Sequence, residues 1–294
     1  MSVETASDRK SFFKKIRGKE DTKSEMTFID HLEVLRWHLM RSAIALVVAG
    51  GTIFVFIDWV FDNIIYAPAS QNFITYRSLC NLGHKLHLGD SLCMPPINIP
   101  LLGNTVSGPF MSAISISFMG GLIIAFPYLF YELWRFVKPA LSPQELKYAK
   151  GSIVWVSLCF FSGAAFGYFL LAPFTFNFLA NFKLGTLGAY TYIPGLDDYV
   201  DTLINIVLSC GIAFEMPVLA FVLSKIGLIT PEFLKTYRKY AYVIILIVAA
   251  VITPSGDWTS QLIVTIPLVI LYELSILVSS RVAKQRAIEE KEWD

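Results

Sequence analysis

The chain has 294 residues, 55% hydrophobic and 16% charged, with a mean hydropathy of +0.57 and a formal net charge of +1. A soluble domain carries roughly 25% charged residues, so this composition is that of a polytopic membrane protein, and its long apolar runs predict an all-α fold. The near-neutral balance gives no basis for a nucleic-acid partner.

Residues 1–25 are polar and charged and lack a short apolar run followed by a small-residue cleavage site, so they read as a mobile charged tail and not as a secretory signal peptide. Phe28, Leu32, Leu35 and Leu39 then recur at helical spacing, which predicts an amphipathic helix approaching the first span. It is either a membrane-surface helix with no ligand or a binding element. A helix needs roughly 20 apolar residues to cross a hydrocarbon core of about 30 Å. Six stretches qualify or come close, at about 39–60, 107–133, 151–174, 199–224, 240–253 and 259–280. The fifth is short, and the turn from Pro254 to Trp258 returns the chain at once, so helices five and six are expected to form a short hairpin. A membrane domain over 26–280 and a C-terminal tail over 281–294 complete the organisation.

Six spans put both termini on one side. That side collects 21 of the 24 lysines and arginines, against Arg77, Lys85 and Lys183 on the other, which predicts cytoplasmic termini. The long outer loop from about Phe61 to Val106 carries Cys80 and Cys93. Its compartment is oxidising and permits a disulfide between them. Cys159 and Cys210 lie in spans and read as small apolar fillers. His31, His38, His84 and His87 show no metal-ligand spacing with the cysteines, so no metal site is expected.

Glu215 lies mid-span, followed by Met216 and Pro217. A carboxylate at that depth costs a few kcal/mol unless it is protonated, paired or facing a wet cavity. It is either a functional group or a neutral acid bonded to a neighbouring helix. Glu273 sits nearer the cytoplasmic edge, where it is either functional or simply solvated. From Phe126 to Glu145 an uncharged run passes into an aromatic and basic edge and then a loop broken by Pro139 and Pro143.

The order Phe126-Pro127, Trp134, Phe136, Pro139-Ala140-Leu141 and Glu145 resembles the first cytoplasmic loop of the TatC family, the signal-peptide receptor of the twin-arginine protein translocase. Further matches are Ser107-Gly108-Pro109-Phe110, Phe166-Gly167-Tyr168-Phe169 with Pro173, Phe214-Glu215-Met216-Pro217, and Thr253-Pro254 with Asp257 and Gln261. Together they cover about residues 28–280. The segment His31 to Arg36 resembles the family's His-Leu-x-Glu-Leu-Arg, but the family glutamate falls on Val34. Glu33 is its neighbour, turned about 100° around the helix, with Asp30 three residues earlier on nearly the same face. Where the family often has glutamine, this chain has Glu132.

The resemblance implies a receptor in the cytoplasmic (inner) membrane, not an enzyme. Its ligands would be twin-arginine signal peptides of folded precursor proteins, bound by Glu33, Glu145, Asp30 and Arg36. Guanidinium groups bind carboxylates bidentately. It also implies TatA- and TatB-type single-span partners docking near Thr253, Asp257 and Gln261, an oligomeric complex within the bilayer, the proton-motive force as energy source, and no cofactor. A second reading is a secondary transporter of a small solute or ion with Glu215 as proton relay. Against it, the chain has no inverted repeat and one deeply placed charge. An intramembrane enzyme is disfavoured by the lack of HExxH, GxSxG or paired intramembrane aspartates.

Overall fold

The computed structural model describes residues 28–70, 72–87, 93, 99–137, 151–182, 193–253 and 258–291. Ten α-helices are named here: α1 Phe28–Val55, α2 Ile74–Lys85, α3 Gly108–Val137, α4 Ser152–Phe166, α5 Ala172–Asn181, α6 Leu196–Ala213, α7 Met216–Ile226, α8 Pro231–Thr236, α9 Arg238–Ile252 and α10 Trp258–Lys291. Among the described residues, the extended pairing is a single parallel bridge between Leu102 and Gly195.

Among the described residues, five segments are long and apolar enough to cross a membrane: Glu33–Val55, Gly108–Phe136, Ile153–Asn181, Leu196–Ile226 and Ser260–Gln285. Helix α9, with 15 residues, reaches roughly 22 Å at about 1.5 Å per residue. The expected shortness therefore holds for α9. It fails for α10, which runs unbroken for 34 residues and contains Pro267. The segment Val282 to Lys291 is built from strong helix formers without glycine or proline, so the helix continues where a tail was expected. The approach helix at the N-terminus is likewise no separate element but the first turns of α1.

Two spans are locally underwound or broken. The first leaves α-geometry after Val55, with one turn at Ile57–Val60 and a π-helical segment at Phe61–Ile65. The third passes through a second π-helical segment, Gly167–Leu171, between α4 and α5. Such segments expose carbonyls that lipid cannot satisfy. Tyrosines from neighbouring helices meet them: Tyr168 donates to the Ile64 carbonyl at 2.7 Å and Tyr199 to the Ile65 carbonyl at 2.7 Å. Tyr76 on α2 contacts the carbonyls of Pro68 at 3.0 Å and Pro173 at 3.2 Å, and Thr75 donates to the Phe169 carbonyl. Burial raises the Tyr76 hydroxyl above its ordinary range, so it stays a donor at physiological pH. These bonds seal the end of the bundle that carries α2.

Helix α6 is the centre of the core, with Tyr199, Val200, Leu203, Ile206 and Cys210 buried. It packs against α3 and α4, α1 packs against α3, and α10 against α7 and α9. Small residues set the closest approaches, as expected where lipid supplies no hydrophobic drive between helices. A Cβ on Gly121 of α3 would lie 2.6 Å from the Gly50 nitrogen of α1, and one on Gly163 of α4 would lie 2.5 Å from the Cys210 carbonyl oxygen of α6. The outward faces stay apolar: Val47, Val55 and Val251 are 72%, 76% and 80% exposed. A continuous apolar exterior of this kind marks a membrane-facing surface.

Asp197, at the start of α6, ties the second span to the fourth. Its carboxylate accepts from the Ser112 hydroxyl at 2.6 Å and lies against the start of α3 beside Gly108. A carboxylate there complements the positive end of the helix. Pro109 occupies the first turn of α3, where a missing N–H costs nothing, and its ring is exposed.

Candidate functional site

At the end of the bundle opposite α2, α1 and α3 are joined by a polar cluster. His38 of α1 hydrogen-bonds through Nδ1 to Oε2 of Glu132 on α3. Glu132 is 2% exposed. The Tyr128 hydroxyl bonds to the same carboxylate, and the Arg41 guanidinium adds positive charge nearby. A buried carboxylate is tolerated only when paired in this way. Glu132 is thus matched by a histidine on the facing helix. Sequence reasoning missed this pairing because nothing local links positions 94 apart.

Five residues before His38, Glu33 projects from α1 with an exposed side chain, as does Arg36 one turn before Met40. Asp30 lies in the same helix, and its side chain is outside the described residues. Val34, where the family glutamate falls, is also exposed, 36%, so both it and Glu33 lie off the buried face. Glu145 and Pro139 lie outside the described residues. The aromatic edge leading to them is ordered on α3 as a ladder at i, i+4 spacing: Phe126 with Phe130 (6.4 Å between ring centroids) and Phe130 with Trp134 (6.1 Å). Phe126 also stacks on Phe160 of α4 at 3.6 Å, and Phe136 meets the His38 ring edge-on at 6.3 Å. Pro127 is held inside α3 without ending it. The ladder and the His38–Glu132 pair fix the last turns of α3 against α1 and α4, setting where α3 ends relative to Glu33.

Glu215 sits at the break between α6 and α7. Pro217 lacks an N–H and clashes with the carbonyl one turn earlier, so α6 ends at Ala213 and a new helix starts at Met216. Glu215 is half-buried, and its Oε1 is a buried oxygen with no hydrogen-bond partner among the described residues. A separate cavity of about 380 Å³ lies between α1, α3, α4 and α6, lined by Ile53, Ile116, Met119, Phe161, Leu203 and Val207 among others. Glu215 is not among its lining residues.

At the α9–α10 edge, Thr253 is buried, 5% exposed, and donates to the Ala249 carbonyl at 2.9 Å. Gln261 is half-buried, with Nε2 3.3 Å from the Leu246 carbonyl. Asp257 lies outside the described residues. Glu273 joins the two helices, accepting from Arg238 at 2.9 Å and from the Tyr242 hydroxyl at 2.6 Å.

A multi-pass helical membrane protein with a broken fourth span, an acid at the break and a clasped first helix pair is the class that fold and site define. The family model for the Sec-independent protein translocase protein (TatC) matches residues 30–267. A TatC of Blattabacterium sp. subsp. Periplaneta americana is 40% identical over 268 residues, spanning 91% of this chain and 100% of its own. The TatC of Aquifex aeolicus is 33% identical over 261 residues, spanning 89% and 98%. Two crystal structures of the twin arginine translocase receptor TatC align with TM-scores of 0.64 and 0.66 at 32% and 33% identity, covering 86% and 85% of this chain and 99% of theirs. The chain belongs to the TatC family, and it is a multi-pass protein of the cytoplasmic membrane. The transporter alternative finds no support in these relatives.

Proposed function

We propose that this chain is the signal-peptide receptor of a twin-arginine protein translocase, with Glu33 and Glu145 receiving the two arginines. Family membership over residues 30–267 is the observation that carries the receptor reading, and the exposed carboxylate of Glu33 at the end of a clasped helix pair favours that residue for one arginine. Both termini are cytoplasmic, six helices cross the bilayer with α9 as the short fifth, and the basic asymmetry supports that arrangement. TatA- and TatB-type single-span proteins dock along α9 and α10, and transport of folded precursors draws on the proton-motive force.

The test is capture of the detergent-solubilised chain by an immobilised twin-arginine signal peptide and by its twin-lysine counterpart. Lysine lacks the bidentate fork, so capture should depend on arginine. Glu145→Gln should weaken it by roughly 1.5–3 kcal/mol, the range of a charge-assisted bond. Equal capture by both peptides would remove the receptor assignment. Unchanged affinity in Glu33→Ala alongside a loss in Asp30→Ala would move the contact one turn along α1.

A further inference from the structure

Helices α1 and α3 meet at two levels. Deep in the spans, a Cβ on Gly121 would lie 2.6 Å from the Gly50 nitrogen. Near the end of the bundle, His38 bonds to Glu132. From His38 to Gly50 α1 rises about 18 Å, and between the two contacts the helices leave a groove of about 400 Å³. Ala45, Val48 and Ala49 of α1 and Ala125 of α3 wall it, with Arg41 and Tyr128 at the end nearer the clasp. Val48 is exposed, so the groove opens sideways onto the apolar exterior of the bundle, where the bilayer lies. Its length from Arg41 to Ala49 is about 12 Å, close to the hydrocarbon depth of one leaflet, about 15 Å.

We propose that this groove holds one anionic glycerophospholipid, with its phosphate on Arg41 and Arg135 and one acyl chain laid between α1 and α3. Arg41 lies inside the apolar span and is exposed. Side chains of a helix tilt toward its N-terminus, so Arg41 leans toward the headgroup level. Arg135 is exposed and sits seven residues after Tyr128, within about 20° of the same face of α3. Helix α3 runs the other way, so Arg135 leans inward and the two guanidinium groups approach one level from opposite sides. The one carboxylate at the clasp, Glu132, is buried and bonded to His38 and Tyr128, which leaves the arginines to answer a lipid phosphate. Glu33 and Arg36 are turned about 80° and 140° around α1 from Arg41. Trp37, one turn before Arg41, is exposed at the depth where aromatic rings border headgroups.

The two halves of the site do different work. A bilayer is as apolar as the groove, so laying a chain there gains van der Waals fit and no hydrophobic drive. The walls therefore set the position of the lipid, and the headgroup sets its identity. A basic cluster between membrane helices is suited to anionic headgroups, each arginine near the surface contributing about 1 kcal/mol, roughly fivefold in affinity. A zwitterionic lipid carries its own cation beside the phosphate and loses that preference. In the orientation proposed above the site lies in the cytoplasmic leaflet. Its chemistry is independent of that orientation and of signal-peptide binding, so its failure leaves the receptor reading untouched.

The experiment uses the full chain, freed of lipid in detergent and equilibrated with equimolar phosphatidylglycerol and phosphatidylcholine. Native mass spectrometry then counts the lipids kept per chain. One phosphatidylglycerol should be retained in preference to phosphatidylcholine. Arg41→Gln and Arg135→Gln should each cut that preference roughly fivefold, and Arg41→Lys should keep most of it. Ala45→Leu fills the groove without touching charge and should lower retention of phosphatidylglycerol. Ala43→Leu adds the same bulk to an exposed position turned about 200° around α1 and should change nothing. Equal retention of the two lipids by the parent chain overturns the proposal. So does an unchanged preference in both arginine variants. Retention that depends on the arginines but not on Ala45 would place the lipid on the open surface and overturn the groove. A dimer that forms in place of the lipid-bound monomer, and that Ala45→Leu abolishes, would make a second copy of the chain the occupant.

Discussion

His38 and Glu132, 94 residues apart in sequence, form a hydrogen-bonded pair that clasps α1 to α3 at the end of the bundle bearing Glu33. Removing His38 strands the buried carboxylate of Glu132. His38→Ala should therefore cost about 3–5 kcal/mol, read as a lowered thermal midpoint in detergent. Glu132→Gln should cost less, because the amide carries no charge to desolvate. Adding Glu132→Gln to His38→Ala should restore part of the loss, giving a coupling of about 0.5–3 kcal/mol in the double-mutant cycle. Additive losses would mean that the two side chains do not act as a pair.

The α1–α3 contact offers a second, purely steric test. A Cβ on Gly121 would lie 2.6 Å from backbone nitrogen of Gly50, whereas a Cβ on Gly51 would meet nothing within 4 Å. Gly121→Ala should lower stability by about 1–3 kcal/mol, as overpacking does, despite alanine's better helix propensity. Gly51→Ala should be neutral or stabilising by up to about 1 kcal/mol. Similar effects at both positions would show that the helices do not touch at Gly121.

The parts of this fold that sequence made legible are those governed by local rules. Runs of apolar residues mark the spans, and Pro217 after Glu215 marks the break between α6 and α7. Shortness of the fifth helix follows from the distance between Lys239 and Pro254. What stayed hidden depends on tertiary contact. The His38–Glu132 pair joins helices that are distant in sequence. The π-helical segments are settled by tyrosines on other elements, such as Tyr199 at the Ile65 carbonyl. The Cys80–Cys93 bridge depends on where α2 places Cys80. Helix α10 runs beyond the expected span because its charged C-terminal residues favour helix regardless of lipid.

Glu215 should separate stability from transport. Its buried Oε1 has no hydrogen-bond partner among the described residues, so replacing it by alanine removes that polar atom and should leave the thermal midpoint unchanged or raise it. The same variant should keep twin-arginine peptide binding, since the residue lies on α6–α7 and not on the α1 surface that bears Glu33, and should lose export. The measurements are peptide capture and export of a reporter precursor. Full export by Glu215→Ala would reduce the residue to a tolerated buried acid.

The α9–α10 edge can be mapped by disulfide crosslinking to the helix of a TatB-type partner. Single cysteines are placed at 246, 253 and 261, each against successive positions of the partner helix, and oxidised in membranes. Leu246 is 41% exposed and Thr253 is 5% exposed, while Gln261 is half-buried with a long, weak contact to the Leu246 carbonyl. That amide is free to exchange its contact for one across the interface, where lipid offers no alternative partner. Positions 246 and 261 should therefore crosslink and position 253 should not, because position 253 is buried within its own chain. Strong crosslinks at 253 would require α9 to rotate on docking. Crosslinks confined to the lipid-facing residues of α3 and α4 would place the partner on the other side of the molecule, leaving α9 short for a reason unrelated to docking.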